Sequence, residues 1–301
     1  MSRKLHPSLD LSSVDYRESY RFTDNRFVRG SKAIEVLSRR DTMIPICGSF
    51  GHLGVVRQKI MTTDKANRDQ LIHEEESMSS ITATEYIVQR KGFYFEEGSV
   101  CIVLEYMDSG SLDHWYSRES PIPDRVLRCI TWQLVCALSE IRKAGITHRD
   151  IKPSNILLHS NGSVKLSDFG ISKRQSSCRT FVGTLRYMSP ERLLSEDYTY
   201  KCDYWSMALV IMEAALGYYP IQSSVSHVDL ATSITQYGFD TFFRQLNPEL
   251  VAFLSDWLKE ERLRMLPQLK IKDRYLRLDG KPITKEVSMQ IVSDWLKSKK
   301  K

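Results

Sequence analysis

Two short segments of the sequence combine side chains that could handle a phosphate group and a divalent cation. The segment from His148 to Asn155 offers a carboxylate at Asp150, an ammonium group at Lys152 and an amide at Asn155. A second carboxylate, Asp168, follows a little further along the chain. Moving a phosphoryl group from a nucleotide to a hydroxyl needs a carboxylate near the hydroxyl, a cation near the phosphate and oxygen ligands for magnesium. Because this segment supplies all three, we expect a phosphoryl-transfer centre here.

Further motifs follow these segments in a fixed order. Asp168 opens the tripeptide Asp-Phe-Gly, the tripeptide Ser-Pro-Glu ends at Glu191, and Asp203 lies just before Trp205. One such tripeptide would arise by chance about once in several thousand positions, whereas the whole ordered series is not a coincidence. The series resembles the catalytic loop and the segments that follow it in protein kinases.

The resemblance implies a role for each of these side chains. Asp150 would accept the proton of the substrate hydroxyl, Lys152 would contact the γ-phosphate, and Asn155 and Asp168 would bind magnesium. Thr184, in the loop that holds the acceptor, would hydrogen-bond near Asp150 and Lys152.

Two further residues receive structural roles from the same resemblance. Asp203 would hydrogen-bond the backbone of the catalytic loop from a buried helix. Glu191 would pair with an arginine late in the chain, for which Arg264 is the best-placed candidate.

A glycine-containing segment near residue 50 is the candidate phosphate loop. Glycines at the tip of a hairpin allow backbone N–H groups to approach phosphates closely. Ser49, Gly51, Gly54 and Val56 resemble the kinase glycine-rich loop, with Ser49 in place of its first glycine. Taken alone, this pattern is equally compatible with an ordinary strand turn.

The lysine that contacts the α- and β-phosphates in kinases should lie on a third strand, and only Lys59 fits. Glu74 is its expected ion-pair partner on a following helix, with Glu75 as the alternative. Val56 and Lys59 are, however, too close for two antiparallel strands joined by a turn. Relative to the family, a hairpin is therefore missing here, and Lys59 could instead be a solvated strand lysine.

The run that ends at Met107 resembles the kinase hinge. Leu104 would lie behind the adenine, and the backbones of Glu105 and Met107 would hydrogen-bond its edge. Leu157, which follows the catalytic loop, completes the expected nucleotide-binding residues.

The amino-acid sequences of two segments resemble those of MAP kinase kinases in particular, although related kinases of the Ste group share much of these sequences. These are residues 107–113 and 181–192. Ser176 and Thr180, which precede the second segment, resemble the pair of activating phosphosites of that family, with Ser177 as a substitute for Ser176. Phosphates there could pair with Arg149 and order the loop, the alternative being an unregulated polar loop.

The N-terminal residues resemble the docking peptide with which such kinases bind their MAP kinase. Arg3 and Lys4 would meet an acidic patch, while Leu9 and Leu11 would fill small apolar pockets from one side of an extended chain. A solvated tail is an equally good interpretation of so short a motif.

The resemblance implies that the elements which position these residues form an α+β, bilobal protein kinase fold. Short alternating runs predict strands within 44–61 and 86–107, separated by a helix near 68–79, so the N-lobe is a small antiparallel sheet with one regulatory helix. A larger, mainly helical C-lobe follows. Its predicted elements are a helix from Pro123 to Gly145, a strand pair at 157–158 and 164–166, a buried helix at 204–216, a helix at 248–263 and a short helix at 283–296.

The domains follow from these elements. We expect an N-terminal extension at 1–42, a kinase domain at 43–275 with its lobes at 43–107 and 108–275, and a C-terminal tail at 276–301. The net charge of +6 falls largely in the tails and does not indicate nucleic-acid binding. The longest apolar stretch is too short for a bilayer, and the cysteines lack disulfide or zinc spacing, so we expect a protein of the cytosol or nucleus with reduced thiols.

The resemblance to MAP kinase kinases implies a dual-specificity kinase that uses ATP and Mg²⁺, phosphorylates a MAP kinase and is activated by an upstream kinase. Two alternatives stay open. One is a Ser/Thr kinase of the Ste group acting higher in a cascade, and the other is a docking pseudokinase with impaired ATP binding, which the missing hairpin motivates.

Overall fold

The computed structural model describes residues 43–46, 55–61, 84–96, 99–168, 185–221, 234 and 238–299. These residues form two compact units. The first ends at Met107 and is built from β-strands, whereas the second begins at Asp108, also includes residues 84–87, and is mainly helical. The predicted α+β fold class, with a small antiparallel sheet and a larger, mainly helical part, is confirmed.

The described strands of the first unit form one antiparallel sheet in the spatial order β1-β2-β4-β3. The strand β4 ends at the expected hinge, and β2 pairs with it along its whole length. The predicted helix near 68–79 lies outside the described residues. The strands are β1 (Met43–Ile46), β2 (Val55–Met61), β3 (Arg90–Glu96) and β4 (Ser99–Glu105).

Val56 and Lys59 both lie in β2, which confirms the inference from their spacing that no hairpin separates them. The sequence between them is too short for a turn, and the chain runs through it as one continuous strand. Lys59 therefore occupies the strand adjacent to the hinge strand, with Cys101 as its Cα partner.

The second unit contains helices and two pairs of short strands. Its core is the long helix at 124–143 together with the buried helix at 202–216. None of the helices within the described residues is long and apolar enough to cross a bilayer. The elements are α1 (Asp124–Lys143), β5 (Ile156–Leu158), β6 (Val164–Leu166), α2 (Pro190–Leu193), α3 (Cys202–Leu216), α4 (Asp240–Phe243), α5 (Pro248–Ser255), α6 (Pro267–Lys270), β7 (Arg277–Leu278), β8 (Lys281–Pro282) and α7 (Lys285–Lys299).

The sequence signals for α1 are confirmed. Pro123 precedes the first helical residue, and Gly145 ends the helix with a φ of 72°, a left-handed conformation that glycine adopts without strain. Apolar residues from Val126 to Ile141 are buried along one face. This face packs against α3, α7 and β6, so α1 is the scaffold of the unit.

The helix predicted over 248–263 is shorter than expected, because α5 ends at Ser255. The chain turns at Asp256, whose carboxylate accepts hydrogen bonds from Lys270 at 2.9 Å and from Lys259 at 3.3 Å. Trp257 then donates its ring N–H to the backbone carbonyl of Met265 at 2.9 Å. These contacts favour a compact turn over another two turns of helix.

A buried ion pair connects α2 to the chain after α5. Arg264 donates to both carboxylate oxygens of Glu191, at 2.6 and 2.8 Å, which confirms the expected pair. The guanidinium group also lies 5.1 Å from the ring centre of Trp205 and donates to the backbone carbonyls of Lys201 and Lys259. This arginine therefore holds three segments of the unit together.

Replacing Arg264 by Met should lower the free energy of unfolding by about 3–5 kcal/mol, because Glu191 would stay buried without its partner. Urea denaturation measures the change. Arg262→Met is the matched control, since Arg262 pairs with Glu260 on the surface, where both side chains are more than 60% exposed, and should change the stability by less than about 1 kcal/mol. Equal effects of the two substitutions would contradict the role of the pair.

The same pair should make the protein sensitive to acid. Burial raises the pKa of Glu191, but the hydrogen bonds and charge of Arg264 outweigh burial and lower it below the ordinary value. The pair therefore stabilises the fold above the ordinary glutamate pKa, and this stabilisation is lost as the pH falls through the lowered pKa. Urea curves of wild type and Glu191→Gln should accordingly converge at low pH and diverge towards neutral pH.

Candidate active site

The hairpin of β5 and β6 brings the two candidate metal ligands to one end of the same structure. Asn155 comes directly before β5, and Asp168 follows shortly after β6. The strands are antiparallel with Ile156 opposite Leu166, so the start of β5 lies beside the end of β6. The predicted strand pair is confirmed, and it places Asn155 and Asp168 at the same end of the hairpin.

Ser167 fixes the backbone between these ligands. Its N–H and its hydroxyl both donate to the carbonyl of Asn155, at 2.9 and 3.1 Å. Its own carbonyl accepts from Nε2 of His148 at 2.8 Å, while Nδ1 of that ring accepts from the N–H of Asp150 at 3.3 Å. The ring of His148 is fully buried, and these partners favour the tautomer that is protonated on Nε2.

Asp150, Lys152 and Asn155 form one hydrogen-bonded cluster. Oδ2 of Asp150 accepts from Nζ of Lys152 at 3.0 Å and from Nδ2 of Asn155 at 3.2 Å. The same amide nitrogen donates to the backbone carbonyl of Asp150 at 2.8 Å. The side chain of Asp150 is about 10% exposed and that of Lys152 is 27% exposed, so the cluster is largely buried but can be reached from the solvent.

The orientation of Asn155 suits a magnesium ligand. Because its amide nitrogen bonds to Asp150, its oxygen Oδ1 is turned away from that residue and remains an acceptor. Mg²⁺ is a hard cation that binds oxygen atoms, commonly those of one or two carboxylates, of carbonyl groups, of waters and of substrate phosphates. Asn155 and Asp168, which has a left-handed φ of 58°, thus form a donor set that fits the cation expected from the sequence.

Asp203 holds the catalytic loop from the buried helix α3, as expected. Its Oδ2 accepts from the N–H of His148 at 2.6 Å and its Oδ1 from the N–H of Arg149 at 2.8 Å. Burial raises the pKa of Asp203 above the ordinary aspartate value, and the two N–H groups oppose this effect. Arg149 has a φ of 67°, so the loop is bent where the carboxylate holds it.

Sequence reasoning missed a second support of this bend. Nη1 of Arg192, in α2, donates to the carbonyl of Arg149 at 2.9 Å. The guanidinium groups of both arginines lie over the ring of Tyr198, at 5.3 Å for Arg192 and 5.9 Å for Arg149. The sequence carries no signal for this contact, because a single arginine after Ser-Pro-Glu has many possible partners.

The expected hinge residues lie at the end of the first unit. Leu104 is half-buried and Met107 is buried. Glu105 donates its backbone N–H to the carbonyl of Gln89 at 2.8 Å and accepts the N–H of Gln89 on its side chain at 3.0 Å. The backbone N–H of Glu105 is therefore engaged within the unit. Leu157 is half-buried in β5 of the second unit.

The remaining sequence predictions concern residues that the structure does not describe. They comprise the docking residues Arg3, Lys4, Leu9 and Leu11, the loop residues Ser49, Gly51 and Gly54, the helix residue Glu74, the phosphosites Ser176 and Thr180, and Thr184.

Comparisons with known proteins agree with this geometry. Residues 54–277 match the protein kinase domain. The chain is 34% identical over 227 residues to the mitogen-activated protein kinase kinase SIPKK of Nicotiana tabacum, covering 71% of this chain and 62% of that protein. It is 45% identical over 139 residues to the dual specificity mitogen-activated protein kinase kinase dSOR1 of Drosophila melanogaster, covering 45% of this chain and 35% of that protein. The matches thus span less than two thirds of each relative.

Replacing Asp203 by Asn should loosen the catalytic loop. An amide offers one acceptor oxygen where the carboxylate offers two, so one of the N–H groups of His148 and Arg149 would lose its partner, which costs about 1–3 kcal/mol of stability. Hydrogen exchange of these two amides should accelerate, while the exposed control Asp240→Asn should leave them unchanged. If Asp203→Asn leaves both amides as protected as in the wild type, the carboxylate does not hold the loop.

Proposed function

Because this chain belongs to the protein kinase family, we propose that it transfers the γ-phosphate of ATP to a threonine and a tyrosine of a MAP kinase. The observation that carries the proposal is the hydrogen-bonded cluster of Asp150, Lys152 and Asn155, which combines a base, a cation and a metal ligand. The similarity to two MAP kinase kinases supports the choice of substrate.

The described residues of the second unit would act on the phosphoryl transfer as follows. Asp150 accepts the proton of the substrate hydroxyl, and its position is fixed by the bonds from Lys152 and Asn155. Lys152 contributes positive charge close to that carboxylate and can contact the γ-phosphate. Asn155 and Asp168 hold Mg²⁺, which neutralises charge on the phosphate oxygens when bound.

Residues of the first unit would hold the nucleotide. In this proposal the backbone of Met107 donates to the adenine and the carbonyl of Glu105 accepts from it, since the N–H of Glu105 is already bonded to Gln89. Lys59 contacts the phosphates and pairs with Glu74. The position of Lys59 on the strand next to the hinge strand supports this assignment.

Activation would require phosphorylation of Ser176 and Thr180 by an upstream kinase. Arg149 is the proposed basic partner for such a phosphate, because its side chain is exposed next to Asp150 and its guanidinium group carries a permanent positive charge. Thr184 would hydrogen-bond near Asp150 and Lys152. The MAP kinase would bind to the N-terminal docking residues Arg3, Lys4, Leu9 and Leu11.

The alternative functions differ in measurable ways. A docking pseudokinase is favoured by the continuous strand β2, in which Val56 and Lys59 are not separated by a hairpin. Mg-ATP should stabilise an active kinase against heat but leave such a scaffold unchanged. A kinase acting higher in a cascade would phosphorylate serine or threonine of another kinase and not the tyrosine of a MAP kinase.

The proposed activity can be tested with the purified chain carrying Ser176→Asp and Thr180→Asp, incubated with Mg-ATP and a panel of MAP kinases. Mass spectrometry should find phosphate on a threonine and on a tyrosine of the activation loop. Asp150→Ala should abolish this product because the base is lost, whereas the exposed control Asp240→Ala should not. Product that is independent of Asp150, or no product with any MAP kinase, would refute the proposal.

Docking can be tested separately from chemistry. Replacing Leu9 and Leu11 by Ala should raise KM for the intact MAP kinase by about tenfold, which corresponds to about 1.4 kcal/mol of lost binding energy. The rate on a short peptide from the activation loop should not change, because such a peptide cannot use the docking site. A loss of activity that is equally large on the intact MAP kinase and on the peptide would contradict a docking role.

A further inference from the structure

The turn of the β5–β6 hairpin, residues 159–163, lies at the opposite end from Asn155 and Asp168 and contacts the C-terminal helix α7. The hairpin strands are three residues long, so at about 3.3 Å per residue the turn is roughly 10 Å from the candidate metal ligands. A short pair of strands is only marginally stable by itself. Its geometry must therefore depend on what packs around it.

A buried glutamine connects the hairpin to α7. Gln133, in α1, donates from Nε2 to the carbonyl of Gly162 at 3.0 Å and to the hydroxyl of Ser288 at 2.8 Å. Its Oε1 accepts from the N–H of Val164 at 2.8 Å. Ser288 in turn donates to the carbonyl of Cys129 at 3.0 Å. Both amide hydrogens and the amide oxygen of Gln133 are thus used, in a network where Gln133 is 2% and Ser288 0% exposed.

The backbone of α7 also touches the hairpin turn directly. Gly162 has a φ of 91°, and a Cβ at this position would lie 1.8 Å from the carbonyl oxygen of Met289. The hydroxyl of Ser293 donates to the carbonyl of Ser160 at 2.7 Å. The turn therefore fits against α7 with no space for a side chain at residue 162.

A second set of contacts holds the same turn from the other side. The carboxylate of Asp108 accepts from the N–H of Ser160 at 2.6 Å and from its hydroxyl at 2.5 Å. The turn is thus fixed between Asp108 and α7. A displacement of α7 would remove its support of the turn, and the loss would reach both strands because they are bonded to each other.

We infer that Gln133 and Ser288 are positioning residues for the metal-binding end of the hairpin, and that α7 holds this end in place through the turn. The inference rests on the proposed role of Asn155 and Asp168 as magnesium ligands. It means that a helix remote from the catalytic loop sets how tightly the protein binds Mg²⁺ together with nucleotide.

Two substitutions with matched controls test this inference. Gly162→Ala would collide with Met289, whereas Gly280→Ala introduces a similar backbone strain, at a φ of 76°, with open space around the new Cβ. Ser288→Ala removes the bridge to Gln133, whereas Ser298→Ala removes a hydroxyl of the same helix that bonds only to the carbonyl of Trp295 among the described contacts. Ser288→Ala keeps the test valid if Gly162→Ala does not fold.

The first measurement is hydrogen exchange of the strands Ile156–Leu158 and Val164–Leu166 in the protein without nucleotide. The second is the Mg²⁺ concentration that gives half of the maximal thermal stabilisation by ATP. Gly162→Ala and Ser288→Ala should accelerate exchange and raise that concentration by up to about tenfold, the lower end of the effect of outer-shell substitutions at metal sites. In both controls this Mg²⁺ concentration should stay within about twofold of the wild-type value, the scatter expected for substitutions away from the hairpin contacts.

The outcomes separate the inference from the proposed function. Unchanged exchange and Mg²⁺ dependence in both variants, or equal changes in variants and controls, would show that α7 is merely structural and would overturn the inference. If the wild type shows no Mg²⁺-dependent stabilisation by ATP, the proposed function fails. In that case hydrogen exchange alone still decides whether α7 positions the hairpin.

Discussion

The carboxylate of Asp203 lies in the buried helix α3 and accepts hydrogen bonds from two consecutive backbone N–H groups, those of His148 and Arg149. This interaction permits the left-handed backbone of Arg149, which by itself costs an L-residue about 1–2 kcal/mol. The bend immediately precedes Asp150 and therefore sets the orientation of that residue. Without this buried acceptor the loop would relax, and the cluster around Asp150 would lose its geometry.

In two places charged side chains stabilise the second unit where loops meet, and in both the cation is almost completely buried. Arg264 binds Glu191 through two hydrogen bonds, and the fully buried Lys270 binds Asp256 and Asp273 at 2.9 and 2.8 Å. A buried pair contributes little net stability compared with apolar packing, but breaking one is costly. Such pairs therefore select one arrangement of the loops, and so they preserve the shape of the surface that α2 and the catalytic loop share.

The sequence allowed prediction of features that depend on neighbours along the chain or on a motif. The helix α1 followed from its apolar period and from Gly145, and the partners of Asp203 and Glu191 followed from the kinase resemblance. Contacts between distant segments could not be predicted in the same way. Gln133 looks like any polar residue within a helix, and its partners Gly162 and Ser288 are fixed only when three elements pack together. The early end of α5 likewise depends on where Lys270 lies.

The hairpin that carries Asn155 and Asp168 shows why these distant contacts matter for function. A metal ligand must be held to within a fraction of an ångström, and strands of three residues cannot supply that rigidity alone. Ser167 ties the ligand end together, and its carbonyl connects that end to the ring of His148 in the catalytic loop. The turn supplies a further anchor at the opposite end, through Asp108 and α7. The precision of the candidate metal site is therefore set by the packing of the whole second unit, including residues far beyond the catalytic motifs.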